Sequence, residues 1–164
     1  MPSILVSACL LGLPARYNGE QIAHEHPVLR RWQAEGRLLA FCPEVAGGLP
    51  TPRPPAEIAE GKGGRAVLQG HACVIDRAGE DVTESFVRGA RQAQDIARVR
   101  QIRIAILKEG SPSCGSGYTY DGSFAHVRLT QPGVTTAALE AIGVRVFSEN
   151  QLDEAAAFLT TLDQ

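Results

Sequence analysis

Short apolar runs alternate along this chain with longer stretches in which apolar residues return every three or four positions. Ile4–Ala8, Leu38–Phe41, Ile102–Leu107 and Val144–Phe147 are too short and too evenly apolar for amphipathic helices, so they predict buried strands. Pro27 opens a helix through Glu35, with Leu29 and Trp32 on one face and Gly36 ending it. Asp81 caps a longer helix in which Val82, Phe86, Ala90, Ala93 and Ala97 recur at helical spacing, leaving Arg88, Arg91, Gln92 and Asp95 to solvent. Gly133–Leu139 predicts a second long helix ending near Gly143. Ser148–Gln151 caps a terminal one that turns Leu152, Ala155, Ala156, Leu159 and Leu162 inward. This strand–helix–strand order predicts an α/β fold: a single three-layer domain over residues 1–164 on a mostly parallel, Rossmann-like sheet. Ligands of such sheets sit at the carboxyl ends of the strands.

The segments between these elements are less regular. Asn18-Gly19 marks a turn in a loop that carries Arg16 and Tyr17 back over the strand ends. Pro43 is expected to end regular structure after the second strand, and Gly47-Gly48 to allow close backbone approach. Pro50, Pro52, Pro54 and Pro55 make residues 50–65 a wrapping loop that bears Arg53 and Glu57. Ala66–Leu68 and Ala72–Ile75 predict strands around Gly70, and Asp121-Gly122 a tight turn between two short strands. The start of the Gly133 helix is expected to aim its N–H groups at the crevice and favour an anion there.

Composition narrows the class. The chain has 164 residues, 44% of them hydrophobic and 21% charged, which is a globular balance that needs no disulfide staples. Lys and Arg number 16 against 18 acidic residues, so nothing in the charge predicts a nucleic-acid footprint. The sequence shows no apolar run of membrane-spanning length and no secretory signal pattern, and it reads as cytoplasmic.

The chemistry lies in the cysteines. Cys9, Cys42 and Cys114 each follow a predicted strand, the last within Ser111-Pro112-Ser113-Cys114-Gly115. Three strand-end thiols far apart in sequence are expected to converge and hold a metal centre. Cys73, in Ala72-Cys73-Val74-Ile75, reads instead as a small buried hydrophobe. His24, His26, His71 and His126 stand at no regular short spacing from a cysteine and read as surface or supporting residues. The residues alone leave three readings open. The thiols hold zinc with a fourth ligand, or a [4Fe–4S] cluster with one open iron, or they are purely structural. No local Cys–His–Asn/Asp arrangement marks a thiol nucleophile. Glu44, two positions after Cys42, is on its own merits a loop carboxylate facing water.

Ile4–Gly12, Arg16-Tyr17-Asn18-Gly19, Cys42-Pro43-Glu44, Gly47-Gly48-Leu49, Pro52-Arg53, Asp81-Val82-Thr83, Ser111–Gly115 and Tyr120-Asp121-Gly122 occur in order. With Gly133-Val134-Thr135 and Val146–Glu149, they resemble the bacterial thiouracil desulfurase family from residue 4 to about 150. The resemblance implies an α/β fold in which Cys9, Cys42 and Cys114 hold an oxygen-sensitive [4Fe–4S] cluster. The implied reaction turns 2-thiouracil and related thiolated nucleobases into the oxo compounds and releases sulfide without net electron transfer. Glu44 matches the family's catalytic glutamate and Ser111 its functional serine, while Arg16, Tyr17, Arg53 and Ser113 are candidate substrate contacts. The chain departs from the pattern at Asn18, where Asp is usual. The competing expectations are a noncatalytic iron–sulfur or zinc protein, and a desulfurase of another thioamide-like metabolite.

Overall fold

The computed structural model describes residues 2–13 and 26–163, so the Asn18-Gly19 turn, Arg16, Tyr17 and His24 lie outside the described residues. Strands β1 (Ile4–Ser7), β2 (Leu38–Phe41), β3 (Ala56–Ile58), β4 (Val74–Asp76), β5 (Ile104–Leu107), β6 (Thr119–Tyr120), β7 (Arg128–Leu129) and β8 (Arg145–Ser148) are joined by six helices. These are α1 (Pro27–Ala34), α2 (Pro43–Ala46), α3 (Gly63–Leu68), α4 (Thr83–Arg100), α5 (Val134–Ala141) and α6 (Leu152–Leu162). The main sheet has the order β2-β1-β5-β8, and every neighbouring pair is parallel.

Successive side chains of a strand point to opposite faces, and the two faces are covered separately. Ile4, Val6, Ile104 and Ile106 pack against Val28, Leu29 and Trp32 of α1 and against Leu152, Ala155 and Leu159 of α6. Leu5, Ala105 and Leu107 pack the other way, onto Ala93 and Ala97 of α4 and Leu139 of α5. This is the three-layer α/β arrangement expected from the alternation of short runs and amphipathic helices. A third cluster joins Ile58, Val67 and Val74 to Phe86 and Ala90 of α4 and Val134 and Ala138 of α5. It fixes the antiparallel β3–β4 pair beside the main sheet.

The helix signals hold in part. Asp81 is not the N-cap of α4: that position is Val82, which makes no side-chain cap bond, and Asp81 Oδ1 accepts from Thr83 N at 2.9 Å from one residue further out. Ser148 and Gln151 form a complete capping box before α6. Other expectations are corrected. Pro43 opens α2 rather than ending structure, because an imino residue costs nothing at a first helical position. Residues 50–65 contain β3 and the start of α3, and Ala66–Leu68 complete that helix rather than forming a strand. The cause is tertiary: a Cβ on Gly64 would lie 2.2 Å from the Gly133 carbonyl, so Gly64 allows α3 to dock on the start of α5. Helix α5 spans eight residues rather than being long. Cys73 is exposed, not buried, since its neighbours Val74 and Asp76 take the inward positions.

Helix α2 is pressed onto α4 with backbone touching backbone. A Cβ on Gly89 would lie 1.9 Å from the Pro43 carbonyl oxygen, and one on Gly47 would lie 2.0 Å from the Ser85 carbonyl oxygen. Arg88 Nη1 donates to Gly47 O at 2.8 Å and Gln92 Nε2 to Ala46 O at 3.1 Å. These two side chains therefore satisfy the last carbonyls of α2 instead of merely meeting solvent. An ordinary helical glycine gains about 0.5–1 kcal/mol on replacement by alanine. Gly89→Ala should instead destabilise the fold by about 1–3 kcal/mol, the range of overpacking, read as a lower midpoint in urea under reducing conditions.

Candidate active site

β1, β2 and β5 are immediate neighbours, and each is followed by one of the three predicted cysteines. Strands pair about 4.8 Å apart, so their ends deliver three thiols to one small region. After β1 the chain tightens into a turn over Ala8–Leu10 that carries Cys9. Cys42 directly precedes α2 in extended conformation. Cys114 lies within the loop that leaves β5. All three line one cavity of about 380 Å³, together with Glu44, Arg53 and Ser111. Cys9 and Cys114 are buried and Cys42 half-buried.

The loop that carries Cys114 is held by its own hydroxyls and carboxylates. Ser111 Oγ accepts from Ser113 N at 3.0 Å and Cys114 N at 3.1 Å. Glu109 Oε1 accepts from the backbone N–H groups of Gly110, Ser116, Gly117 and Tyr118. Lys108 N donates to Ser7 Oγ at 2.9 Å, and Lys108 Nζ lies 3.0 Å from Glu149 Oε2. Ser113, a candidate substrate contact, is fully buried, and its Oγ lies 2.8 Å from Thr135 Oγ1. It braces the loop against α5 and does not line the cavity. The start of α5 is likewise occupied, with Val134 N donating to Pro112 O and Thr135 N to Ser113 O, each at 2.8 Å. The expected anion site at this helix start is therefore filled by loop carbonyls.

Glu44 stands in the first turn of α2, and its two oxygens have different partners. Arg53 Nε donates to Oε1 at 3.2 Å, and Ser111 Oγ donates to Oε2 at 3.2 Å. Arg53 also donates through Nη1 to Pro50 O at 3.1 Å and to Thr51 Oγ1 at 3.0 Å. The Arg53 side chain is only 4% exposed and that of Glu44 15%, so this ion pair is largely shielded from water. Arg53 lines the cavity, and its guanidinium is engaged with Glu44.

Burial pushes the Cys114 thiol well above its ordinary range, and the nearby Cys42, Glu44 and Cys9 push it in the same direction. Burial also raises Cys42, with Glu44 adding to the shift. Metal ligation requires thiolates, so a metal centre entering here displaces protons, and its binding strengthens as pH rises. Among the described residues no three His, Cys, Asp or Glu side chains converge closely enough to share one metal ion. Zinc bound at about 2.3 Å would draw its thiolates within about 4 Å of one another. Three thiols spaced around one cavity suit a larger group with several irons, and a purely thiolate donor set is the usual one for iron–sulfur clusters.

The far part of the cavity was not legible in the sequence. Tyr118, Tyr120, Phe124 and His126 line it from the β6–β7 hairpin. Glu57 Oε1 pins that hairpin by accepting from Gly122 N at 2.9 Å and Phe124 N at 3.2 Å. Phe124 and His126 have φ of 60° and 62°, a left-handed conformation that costs a side-chain-bearing residue about 1–3 kcal/mol. The two short strands were legible around Asp121-Gly122, but the tight turn expected between them is instead a loop over 121–127, and no periodicity shows which residues of such a loop face inward. His71 is exposed and away from the cavity.

Three comparisons bear on this site. The model of a family described as 2-thiouracil desulfurase matches residues 4–151. The protein YbbK of Bacillus subtilis (strain 168) is 46% identical over 151 residues, covering 92% of this chain and 98% of its own length. A solved structure described as the [4Fe-4S]-dependent thiouracil desulfidase TudS is 50% identical. It superposes with a TM-score of 0.88 over 98% of this chain and 99% of that one.

Removing one partner of a shielded ion pair strands the other. Arg53→Met should cost about 3 kcal/mol of stability, measured by urea unfolding of the cluster-free protein under reductant. Much of the loss should return in the double variant with Glu44→Gln, which leaves no charge behind.

Proposed function

The chain belongs to the 2-thiouracil desulfurase family, and on that premise we propose that it hydrolyses the carbon–sulfur bond of 2-thiouracil or a related thiolated nucleobase. Cys9, Cys42 and Cys114 are assigned as the three ligands of a [4Fe–4S] cluster, with Glu44 and Ser111 as catalytic residues. The observation that carries this reading is the meeting of three thiols, a carboxylate and a hydroxyl on one cavity at adjacent strand ends. A volume near 380 Å³ suits a small molecule rather than a polymer. Among the described residues no helix is long and apolar enough to cross a membrane, and a thiolate-held, oxygen-sensitive centre suits the reducing cytoplasm.

When bound, the cluster supplies one iron without a protein ligand, a Lewis acid that polarises a thiocarbonyl. The chain's own residues do the rest. Arg53 fixes Glu44 through Oε1 and leaves Oε2 beside Ser111. Glu44 takes a proton from the attacking water, the general-base role of a positioned carboxylate. The Ser111 hydroxyl, already bonded to Oε2, passes that proton toward the departing sulfur. The water oxygen joins the ring carbon as the carbon–sulfur double bond is lost, sulfur leaves as hydrosulfide with one of the water protons, and the other proton passes to solvent. No electrons are gained or lost, so neither a flavin nor a nicotinamide is required.

Anaerobically reconstituted protein should absorb broadly in the visible and release sulfide and uracil from 2-thiouracil in equal amounts. Colourless protein, or a loaded cluster with no sulfide release from any thionucleobase, would sink the reading in favour of a noncatalytic metal protein. Cys9→Ser, Cys42→Ser and Cys114→Ser should each lose most bound iron, while Cys73→Ser keeps it. Glu44→Gln should keep its iron yet lower kcat by roughly a hundredfold or more, the range of general-base catalysis.

A further inference from the structure

Aromatic side chains are scarce in this chain, with five Phe, three Tyr and one Trp in 164 residues. Among the described residues four of these, Phe41, Tyr118, Tyr120 and Phe124, line the cavity that also holds the three thiols and Glu44. Trp32, Phe86 and Phe147 do the ordinary work of the core. Phe124 does not, since it belongs to none of the three apolar clusters formed by the described residues. The β6–β7 hairpin brings its rings together edge to face. Tyr118 and Tyr120 have centroids 5.8 Å apart at 78°, and Tyr120 and His126 lie 6.0 Å apart at 83°. The Arg77 guanidinium sits over Phe124, 5.5 Å from its centroid, and that of Arg128 sits over Tyr118 at 4.3 Å.

The backbone of this hairpin opposes its own side chains. Phe124 and His126 both adopt a left-handed φ that glycine would take without cost. Glu57, buried beneath, holds the Phe124 N–H and so fixes the unfavourable geometry. Rings set at a cavity wall at the expense of backbone comfort, and outside the apolar core, point to a task other than stability.

We propose that Tyr120, Phe124 and His126 form the recognition wall of this cavity, stacking on the planar ring of the substrate. The wall thereby selects aromatic heterocyclic thiocarbonyls over aliphatic thioamides. The inference rests on the desulfurase reading and narrows its substrate class. Stacking needs only a π face, so the wall accepts different thiolated heterocycles while rejecting a thioamide with no ring. Burial holds the Tyr118 phenol above its ordinary range, so it remains a neutral hydroxyl beside these rings.

The test uses cluster-loaded protein with the Phe124→Gly, Phe124→Tyr and Tyr120→Leu variants. KM and kcat are measured for 2-thiouracil and for thioacetamide, binding of the product uracil by calorimetry, and the thermal midpoint for each. Phe124→Gly and Tyr120→Leu should raise KM for 2-thiouracil roughly tenfold or more, the range of one base–aromatic stack, with KM rising by more than kcat falls. Uracil binding should weaken in parallel, and the preference for 2-thiouracil over thioacetamide should shrink. Phe124→Tyr should restore all three, and Phe124→Gly should be at least as thermostable as the parent because its backbone is relieved. Unchanged KM and uracil affinity in both Phe124→Gly and Tyr120→Leu would overturn the recognition wall while leaving the desulfurase reading intact. If the loaded parent releases no sulfide, the desulfurase reading falls, and the uracil affinities alone still decide whether the rings bind the heterocycle.

Discussion

Parallel pairing of β2, β1 and β5 is the constraint on which the site depends. Adjacent strands lie about 4.8 Å apart, so three residues at three neighbouring carboxyl ends span roughly the width of a small inorganic cluster. The register sets this arrangement, with Ile4 level with both Leu38 and Ile104. The three strands thus stop at nearly the same height, and Cys9 and Cys42 follow their ends within two residues. Cys114 is further along its chain and needs a loop to bring it back. That is why the loop after β5 carries such a density of internal bonds, with Ser111 and Glu109 between them accepting six backbone N–H bonds counted once per N–H.

The position of Glu44 is set by a second constraint. Its helix is one turn long and too short to be stable alone. It exists because Gly47 and Gly89 let two backbones touch, and because Arg88 and Gln92 occupy its terminal carbonyls. Arg53 then reaches in from the proline-rich segment and restrains the carboxylate. Structural residues on α4, far from any chemistry in sequence, therefore fix where the proposed general base stands.

Electrostatics favours filling this site. Three thiols and a carboxylate share one cavity, and ionising the buried Cys114 beside Cys42, Cys9 and Glu44 is disfavoured. A cationic metal centre removes that conflict, since it binds the deprotonated form. Arg53 compensates Glu44 and also eases ionisation of Cys42. The far wall answers a different need. Its rings are held by Glu57 and by guanidinium groups lying over Phe124 and Tyr118, so that they stand ready without being absorbed into a core.

The sequence by itself determined the three layers, the strands that end in Cys9 and Cys42, the amphipathic faces of α4 and α6, and the motif set that carries the family resemblance. Those features are local, because hydrophobic period, capping residues and strand length are written in contiguous residues. Only the tertiary structure decided that Ala66–Leu68 is helical, that Cys73 is exposed, that Ser113 and the start of α5 serve the loop, and that an aromatic hairpin lines the cavity. Each of these depends on what another part of the chain places nearby: a Gly64 that lets one helix meet another, carbonyls that claim a helix start, a buried Glu57 that holds a distant turn. Contacts between residues tens of positions apart leave no periodic trace in either segment, so they become visible only when the chain is folded.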